Sequence, residues 1–258
     1  MSKMLEASVD WCESNYSTSE HIAEFWNTIS GVFIGISSVV FHMKCYQYDY
    51  VPRQLQRVVI LLYTVSMGTV LFHGTLLYPF QLLDELPMLM IAMQYLELVQ
   101  TLRSHTTHKT HKKHREGSLL IVIALAYFVH PLLQQFIFHV SLKLYEANLI
   151  YELAKLAKAL NGQAFSALLP FQNYSNKKGR VQLFRYISLR KDTSQRIRIA
   201  TCFYITSMVL WLFDQLACAH VEFLKLHAVW HLLSSVGIYH LNMIMLNHHH
   251  INKMIHSI

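Results

Sequence analysis

The stretch of sequence that decides the fold is LKLHAVWHLLSSVGIYHLNMIML, residues 224–246. It contains a single charged residue, Lys225, and as a helix it is long enough to cross the hydrocarbon core of a bilayer, which takes roughly 20 residues. His227 and His231 within it are four residues apart and therefore share one helix face. Ionisable groups are costly inside a membrane and by default mark a functional site. The stretch therefore predicts a membrane helix that carries such a site.

Long apolar stretches recur along the whole chain. Hydrophobic residues make up 53% of it and charged residues only 14%, a balance typical of an integral membrane protein. We predict an all-α fold, a bundle of seven transmembrane helices that forms a single domain over residues 1–258. The seven spans are predicted at residues 25–43, 58–78, 85–102, 118–140, 141–160, 197–218 and 224–246. The fifth is amphipathic, so it either crosses the membrane or lies at its surface.

The basic residues indicate the orientation of the bundle. All but three of the 22 Lys and Arg residues fall on one side of the membrane if the spans alternate in direction. Because basic residues concentrate in cytosolic loops, we predict a lumenal N-terminus, a cytosolic C-terminus and a basic cytosolic loop over residues 161–196. This topology explains the net charge of +7, and no nucleic-acid recognition motif accompanies it.

A third histidine, His73, lies in the second predicted span, far in sequence from the other two. If the second span ends near residue 78 and the seventh begins near residue 224, all three histidines lie at the same depth below the lumenal ends of their helices. Unrelated core histidines would have no reason to share a depth. Three neutral histidine nitrogens leave the fourth position of a catalytic zinc open for water. The sequence therefore predicts a zinc site formed by His73, His227 and His231.

Two further residues are predicted to lie in the same layer as candidate catalytic residues. Asp84 opens the third predicted span, where it either caps the helix or acts as general base or orienting partner for a water activated by zinc. Thr69 precedes His73 by four residues and so shares its helix face. Its hydroxyl either donates to an oxyanion or to that water, or bonds back to its own helix.

The predicted lumenal segment, residues 1–24, concentrates hard oxygen ligands. Asp10, Glu13 and Asn15 stand close together, and Glu24 follows them. Such ligands suit calcium. A solvated acidic segment explains the same residues, so their spacing alone leaves both interpretations open.

Six short blocks, taken in order, resemble the alkaline ceramidases. They are DWCESN (10–15), AEFWNT (23–28), GTVLFHGTL (68–76), LLDELPM (82–88), WLFD (211–214) and HAVWH (227–231). Each block alone is a weak signal, but their order and spacing are hard to produce by chance. Residues 103–196 contribute no matching motif.

The resemblance implies a seven-helix intramembrane hydrolase of the endoplasmic reticulum or Golgi that cleaves the amide of ceramide to a sphingoid base and a fatty acid. It implies zinc at the three histidines, an active-site role for Asp84, and a disulfide between Cys12 and Cys218. The calcium ligands that it implies are Asp10, Trp11 through its backbone carbonyl, Glu13, Asn15 and Glu24. In one departure from the family's pattern, Thr69 stands where serine is common, which keeps the hydroxyl but stiffens the side chain.

Two other functions stay open on the sequence. A related zinc-dependent lipid amidase or esterase would keep the three histidines and Asp84 but would have no reason to carry the calcium pattern. A non-enzymatic seven-helix receptor would use the histidines to bind a ligand or to gate. The partners we predict are ceramide and the lipid bilayer, with no nucleic acid and no obligate protein partner.

Overall fold

The computed structural model describes residues 6–48, 50–107, 131–162 and 177–256. Within these ranges the fold is all-α, as predicted. The helices are α1 (Phe25–Cys45), α2 (Arg53–Thr75), α3 (Tyr78–Thr107), α4 (Pro131–Gly162), α5 (Lys177–Leu216), the short α6 (Cys218–Val221) and α7 (Leu226–His256), with a 3-10 turn at Glu222–Leu224.

The six long helices form a closed ring. Helix α1 packs against α2, α2 against α3, α3 against α4, α4 against α5, α5 against α7, and α7 back against α1. Apolar side chains fill the interior, and apolar side chains also cover outer faces. On α1 the exposed ones include Val32, Phe33, Ile36, Val39 and Val40. Exposed apolar surface of this extent marks contact with an apolar environment, here the lipid of a bilayer.

Among the described residues, four helices are long and apolar enough to cross a membrane. They are α1, α2, residues Tyr186–Leu216 of α5 and residues Leu226–His250 of α7. These helices correspond to the first, second, sixth and seventh predicted spans, and the protein is a multi-pass membrane protein. Helix α4 has 32 residues, so it meets the requirement of length but not that of apolar composition. Whether the fifth predicted span crosses the membrane therefore stays a prediction.

The predicted start of the third span, residue 85, is wrong. Helix α3 begins at Tyr78, directly before Pro79, because proline has no backbone N–H to lose in the first turn and its fixed φ suits a helix start. Asp84 therefore lies in the second turn and does not cap this helix. Its side chain is buried, so one of the two roles considered for it falls away.

The predicted boundary between the fourth and fifth spans, at residues 140 and 141, is also wrong. Helix α4 runs without interruption from Pro131 to Gly162. Residues 118–130 of the fourth span lie outside the described residues.

The predicted loop at residues 161–196 is wrong at residues 161–162, which belong to α4, and from residue 177 onward, where α5 begins. Its basic composition concealed a helical pattern. The buried residues recur at intervals of three, four or seven along the helix, at Tyr186, Thr193, Ile197, Ala200 and Tyr204. Residues 163–176 of the predicted loop lie outside the described residues.

The N-terminal segment is bonded to the end of α2. Leu76 ends this helix in the left-handed conformation, and the backbone N–H of Ala7 donates to its carbonyl at 2.9 Å. Next to it, the backbone N–H of Glu24 donates to the carbonyl of His73, also at 2.9 Å. These bonds satisfy carbonyls that the last turn of a helix leaves open, and they place the N-terminal segment beside the predicted metal site.

Candidate active site

Three histidines from two helices meet at one end of the ring. His73 lies in the last turn of α2, and His227 and His231 lie in the first two turns of α7. All three are buried, and one nitrogen of each lies within 4.8 Å of the others. Among the His, Cys, Asp and Glu residues that the structure describes, no other group of three or more is gathered in this way. The structure thus brings together the three histidines that were predicted to share a depth.

Neighbouring side chains orient two of the three rings. Nδ1 of His73 lies 2.5 Å from Oε2 of Glu24, and Nδ1 of His231 lies 2.7 Å from Oγ of Ser30. A carboxylate only accepts, so Nδ1 of His73 carries the proton and Nε2 keeps its lone pair. Metal-binding histidines characteristically use their second nitrogen in this way, which fixes the tautomer and the ring orientation.

The histidine group contains two buried nitrogens, Nε2 of His73 and Nδ1 of His227, that form no hydrogen bond with any of the described residues. An unsatisfied buried polar atom costs about 1–3 kcal/mol, so two in one group need an explanation. A metal ion bound by both atoms would remove that cost. Three imidazole nitrogens are a donor set that zinc prefers, with one position left for water. The residues present therefore fit zinc.

The carboxylate of Asp84 is held beside this group by Thr69. Oγ1 of Thr69 donates to Oδ1 of Asp84 at 2.5 Å and also lies 2.8 Å from the carbonyl oxygen of Val65 in its own helix. Both residues are buried. The single hydroxyl proton of Thr69 is therefore engaged within the protein.

A glycine makes the contact between α2 and α3 close enough for this bond. A Cβ atom at Gly68 would lie 2.6 Å from the backbone nitrogen of Asp84 and from the carbonyl of Leu83. This separation is much shorter than a van der Waals contact distance, so a side chain at this position would push the two helices apart. The Gly-Thr pair at 68 and 69 thus brings the backbone of α3 close and then binds its carboxylate.

The predicted calcium ligands surround the start of α1. Nδ2 of Asn15 donates to Oδ1 of Asp10 at 2.9 Å. Both oxygens of Glu13 accept backbone N–H groups from the first turn of α1, and Oε1 of Glu24 accepts that of Trp11 at 3.2 Å. The carboxylates of Glu13 and Glu24 are therefore already satisfied within the protein, and the structure gives calcium no support.

A disulfide and an aromatic contact hold the N-terminal segment over the histidines. Cys12 and Cys218 are bonded, with their Cα atoms 5.3 Å apart, which ties the segment to α6. Next to Cys12, the ring of Trp11 lies 4.0 Å from that of His227, measured between ring centroids.

Two cavities adjoin the site. The larger, of about 70 Å³, touches Thr69 and His231 and extends along the helices away from the ring's histidine end. The side chains that line its far part include Leu62, Ile91, Tyr95, Leu149 and Ile238. The smaller, of about 20 Å³, touches Asp84 and His227 and is walled in part by three tryptophans, Trp11, Trp211 and Trp230.

Sequence reasoning missed two contacts and one residue at the site. It assigned Glu24 to calcium alone, whereas in the structure Glu24 binds His73. It gave no role to Ser30 or His139, although polar side chains inside predicted spans are a signal in themselves. The side chain that each one faces depends on how the helices are rotated against one another, which the sequence does not provide.

The ring of helices and the buried histidines define a class, a multi-pass membrane protein with a candidate metal centre inside the bundle. The family model described as Ceramidase matches residues 3–257. The chain belongs to the ceramidase family, which is the family that the six sequence blocks resembled.

Individual relatives match to different extents. Human alkaline ceramidase 1 is 26% identical over 235 residues, which cover 88% of this chain and 77% of the human protein. Mouse alkaline ceramidase 3 is 39% identical over 83 residues, 32% of this chain and 31% of the mouse protein. The Drosophila melanogaster alkaline ceramidase is 40% identical over 86 residues, 33% of this chain and 30% of the fly protein. The matched region thus spans about a third of the mouse and fly proteins.

Proposed function

We propose that this protein hydrolyses the amide bond of ceramide to a sphingoid base and a free fatty acid. The observation that carries the proposal is the group of three buried histidine nitrogens within 4.8 Å of one another, with Asp84 and His227 lining the same small cavity. Membership of the ceramidase family supports the reaction and the substrate class.

His73, His227 and His231 would hold a zinc ion. Zinc in such a site supplies an activated water at neutral pH and polarises a carbonyl oxygen as a Lewis acid. Glu24 and Ser30 fix the orientation of two of the three imidazoles before any metal arrives, which reduces the ordering that metal binding requires.

Asp84 moves the proton. It accepts a proton from the attacking water and then transfers it to the nitrogen of the leaving sphingoid base, which departs as an amine. Thr69 donates to Oδ1, so Oδ2 is the oxygen that carries the proton. In this proposal Thr69 positions the general base, and the oxyanion role considered from the sequence is not needed, because its hydroxyl proton is engaged by the protein.

The larger cavity provides the place for the hydrocarbon chains. It begins at Thr69 and His231 and is lined mainly by apolar side chains, which match an alkyl chain. Its length along the helices suits a lipid that enters from the bilayer and places its amide at the histidines. Burial of the site also strengthens the interaction of Asp84 with its partners, since the local dielectric is low.

Calcium binding by the five N-terminal ligands stays a prediction. Its test is whether the purified protein binds calcium and whether activity depends on it. Glu24 also bonds to His73, so a change at Glu24 could act through calcium or through the orientation of the His73 ring. Separate measurements of the affinities for calcium and for zinc distinguish the two effects.

The orientation and the organelle also stay predictions. The disulfide between Cys12 and Cys218 supports a lumenal position for the N-terminal segment, because disulfides persist in oxidising compartments such as the lumen of the endoplasmic reticulum. Accessibility of Cys12 and Cys218 to a membrane-impermeant reagent after reduction in sealed microsomes tests it. Protection from the reagent is the expected result.

The first experiment is release of free sphingoid base from a panel of ceramides by the purified protein. Release that ends on treatment with a zinc chelator, returns on zinc addition and is absent from His231→Ala is the expected result. A related lipid amidase or esterase would bind zinc but release nothing from any ceramide. A non-enzymatic receptor would bind lipid with no turnover of ceramides or of other lipid amides and esters.

A further inference from the structure

His139 lies against the candidate active site and has no part in the mechanism above. It is in the third turn of α4. Its ring centroid is 6.0 Å from that of Trp11 and 5.6 Å from that of Trp211. Together with these two tryptophans it lines the smaller cavity, which also touches Asp84 and His227.

The hydrogen bond of His139 defines what its free nitrogen can bind. Nδ1 lies 3.0 Å from the backbone carbonyl oxygen of Gln135. A carbonyl oxygen only accepts, so Nδ1 carries the proton, and in a neutral imidazole Nε2 is then an acceptor. Nε2 is buried and has no partner among the described residues. The missing partner is therefore a hydrogen-bond donor.

The charged group nearest in the helix is already paired. Nζ of Lys143, one turn further along α4, donates to Oε2 of Glu146 at 2.9 Å and lies 4.1 Å over the ring of Trp211. The other side chains that line the smaller cavity, which include three tryptophans, form no hydrogen bond with Nε2 of His139 among the described residues. The donor that satisfies His139 is thus expected to come with the ligand.

The two cavities define which part of a ligand reaches His139. Leu142, Met88 and Trp230 line both cavities, so the two are neighbours beside the histidine group. Further along α4, Glu146 and Leu149 line only the larger one. A lipid that places its amide at the histidines and its chains in the larger cavity therefore places its headgroup in the smaller cavity. Nε2 of His139 is the hydrogen-bond acceptor there.

Resting on the proposed function, we infer that Nε2 of His139 accepts a hydrogen bond from the primary hydroxyl of the sphingoid base. His139 thereby selects ceramides that carry a free hydroxyl headgroup. The size of the smaller cavity, about 20 Å³ between three tryptophans, leaves room for a small group such as a hydroxymethyl and opposes a bulky headgroup such as a sugar.

The test compares ceramide with 1-deoxyceramide of the same chain lengths, in the wild type and in His139→Phe, which keeps a ring without the acceptor. We expect the wild type to favour ceramide about 10-fold to 100-fold in kcat/KM, since a site that hydrogen-bonds a substrate hydroxyl leaves its own polar group unpaired with an analogue that lacks one. In His139→Phe the value for ceramide falls to that for 1-deoxyceramide, which itself stays unchanged. His139→Gln, which keeps an acceptor, recovers part of the preference, and the exposed His220→Phe is the matched control.

Equal rates on both substrates in the wild type would overturn the inference. So would an equal loss on both in His139→Phe, which indicates a structural role. If the wild type cleaves neither, the proposed function fails instead. Displacement of a fluorescent ceramide from protein stripped of metal then decides the inference alone: an advantage for the hydroxyl-bearing lipid that disappears in His139→Phe supports it, and equal displacement overturns it.

Discussion

The two ends of the helical ring bury different kinds of side chain. At the histidine end, buried polar groups are bonded between elements, in the pairs Glu24 with His73, Ser30 with His231, and Thr69 with Asp84. At the opposite end, the same helices bury chiefly apolar groups, which include Phe41, Leu55, Val58, Leu241 and Ile244. The histidine end positions the candidate catalytic groups, and the opposite end packs the helices against one another.

This difference has a physical basis in lipid. Apolar side chains gain little by leaving one hydrocarbon environment for another, so close packing is what holds the far end. Buried polar groups are expensive unless they are paired, so each pair at the histidine end demands one arrangement. Variants at the histidine end should therefore change mainly activity, and variants at the opposite end should change mainly stability.

The largest expected effect is that of Asp84→Asn. Removal of the proton acceptor should lower kcat about 10²–10⁴-fold, the usual contribution of general acid–base catalysis, while the three histidines still bind zinc. Turnover and zinc content are measured on the same preparation. Loss of zinc in this variant would show that Asp84 is a metal ligand or a structural residue instead.

Glu24→Gln should come next. An amide no longer accepts the Nδ1 proton of His73 as a carboxylate does, and loss of such a partner typically weakens metal binding 10–100-fold. Competition with a zinc chelator measures the change. If zinc affinity is unchanged and only calcium dependence is lost, the carboxylate serves calcium and not the imidazole.

Thr69→Ala should have a smaller effect on turnover, roughly 10-fold, because a hydrogen bond to a charged group is worth about 1.5–3 kcal/mol and Asp84 keeps its place on the helix. Zinc content should not change. Thr69→Ser keeps the hydroxyl and is the matched control, with turnover near that of the wild type. An unchanged rate in the alanine variant would remove Thr69 from the mechanism.

Leu241→Ala at the opposite end should lower stability without changing the candidate active site. The side chain is fully buried in the apolar cluster, so the cavity should lower the free energy of unfolding by about 2 kcal/mol, the low end for Leu→Ala because lipid and not water is the alternative environment. Thermal unfolding in detergent measures it. Turnover per folded molecule should equal that of the wild type, and a marked fall would show that the two ends are coupled.

The sequence-based predictions were accurate for the positions of the histidines and less accurate for the limits of the helices. The three histidines were predictable because a spacing of four places two side chains on one helix face and the positions of the span ends give the depth of the third. The limits of helices were less accessible. Pro79 stands in the first turn of α3, a start signal that the prediction of residue 85 did not use, and the basic face of α5 concealed its helical period.

The sequence by itself determined that this is an α-helical membrane protein of the ceramidase family, because apolar length, charge placement and motif order are properties of the chain alone. Only the tertiary structure decided that Glu24 faces His73, that Thr69 reaches Asp84 past Gly68, and that His139 borders a second cavity with an unpaired acceptor. Those contacts depend on how each helix is rotated and how closely it approaches its neighbours. Rotation and approach are set by packing between residues far apart in sequence.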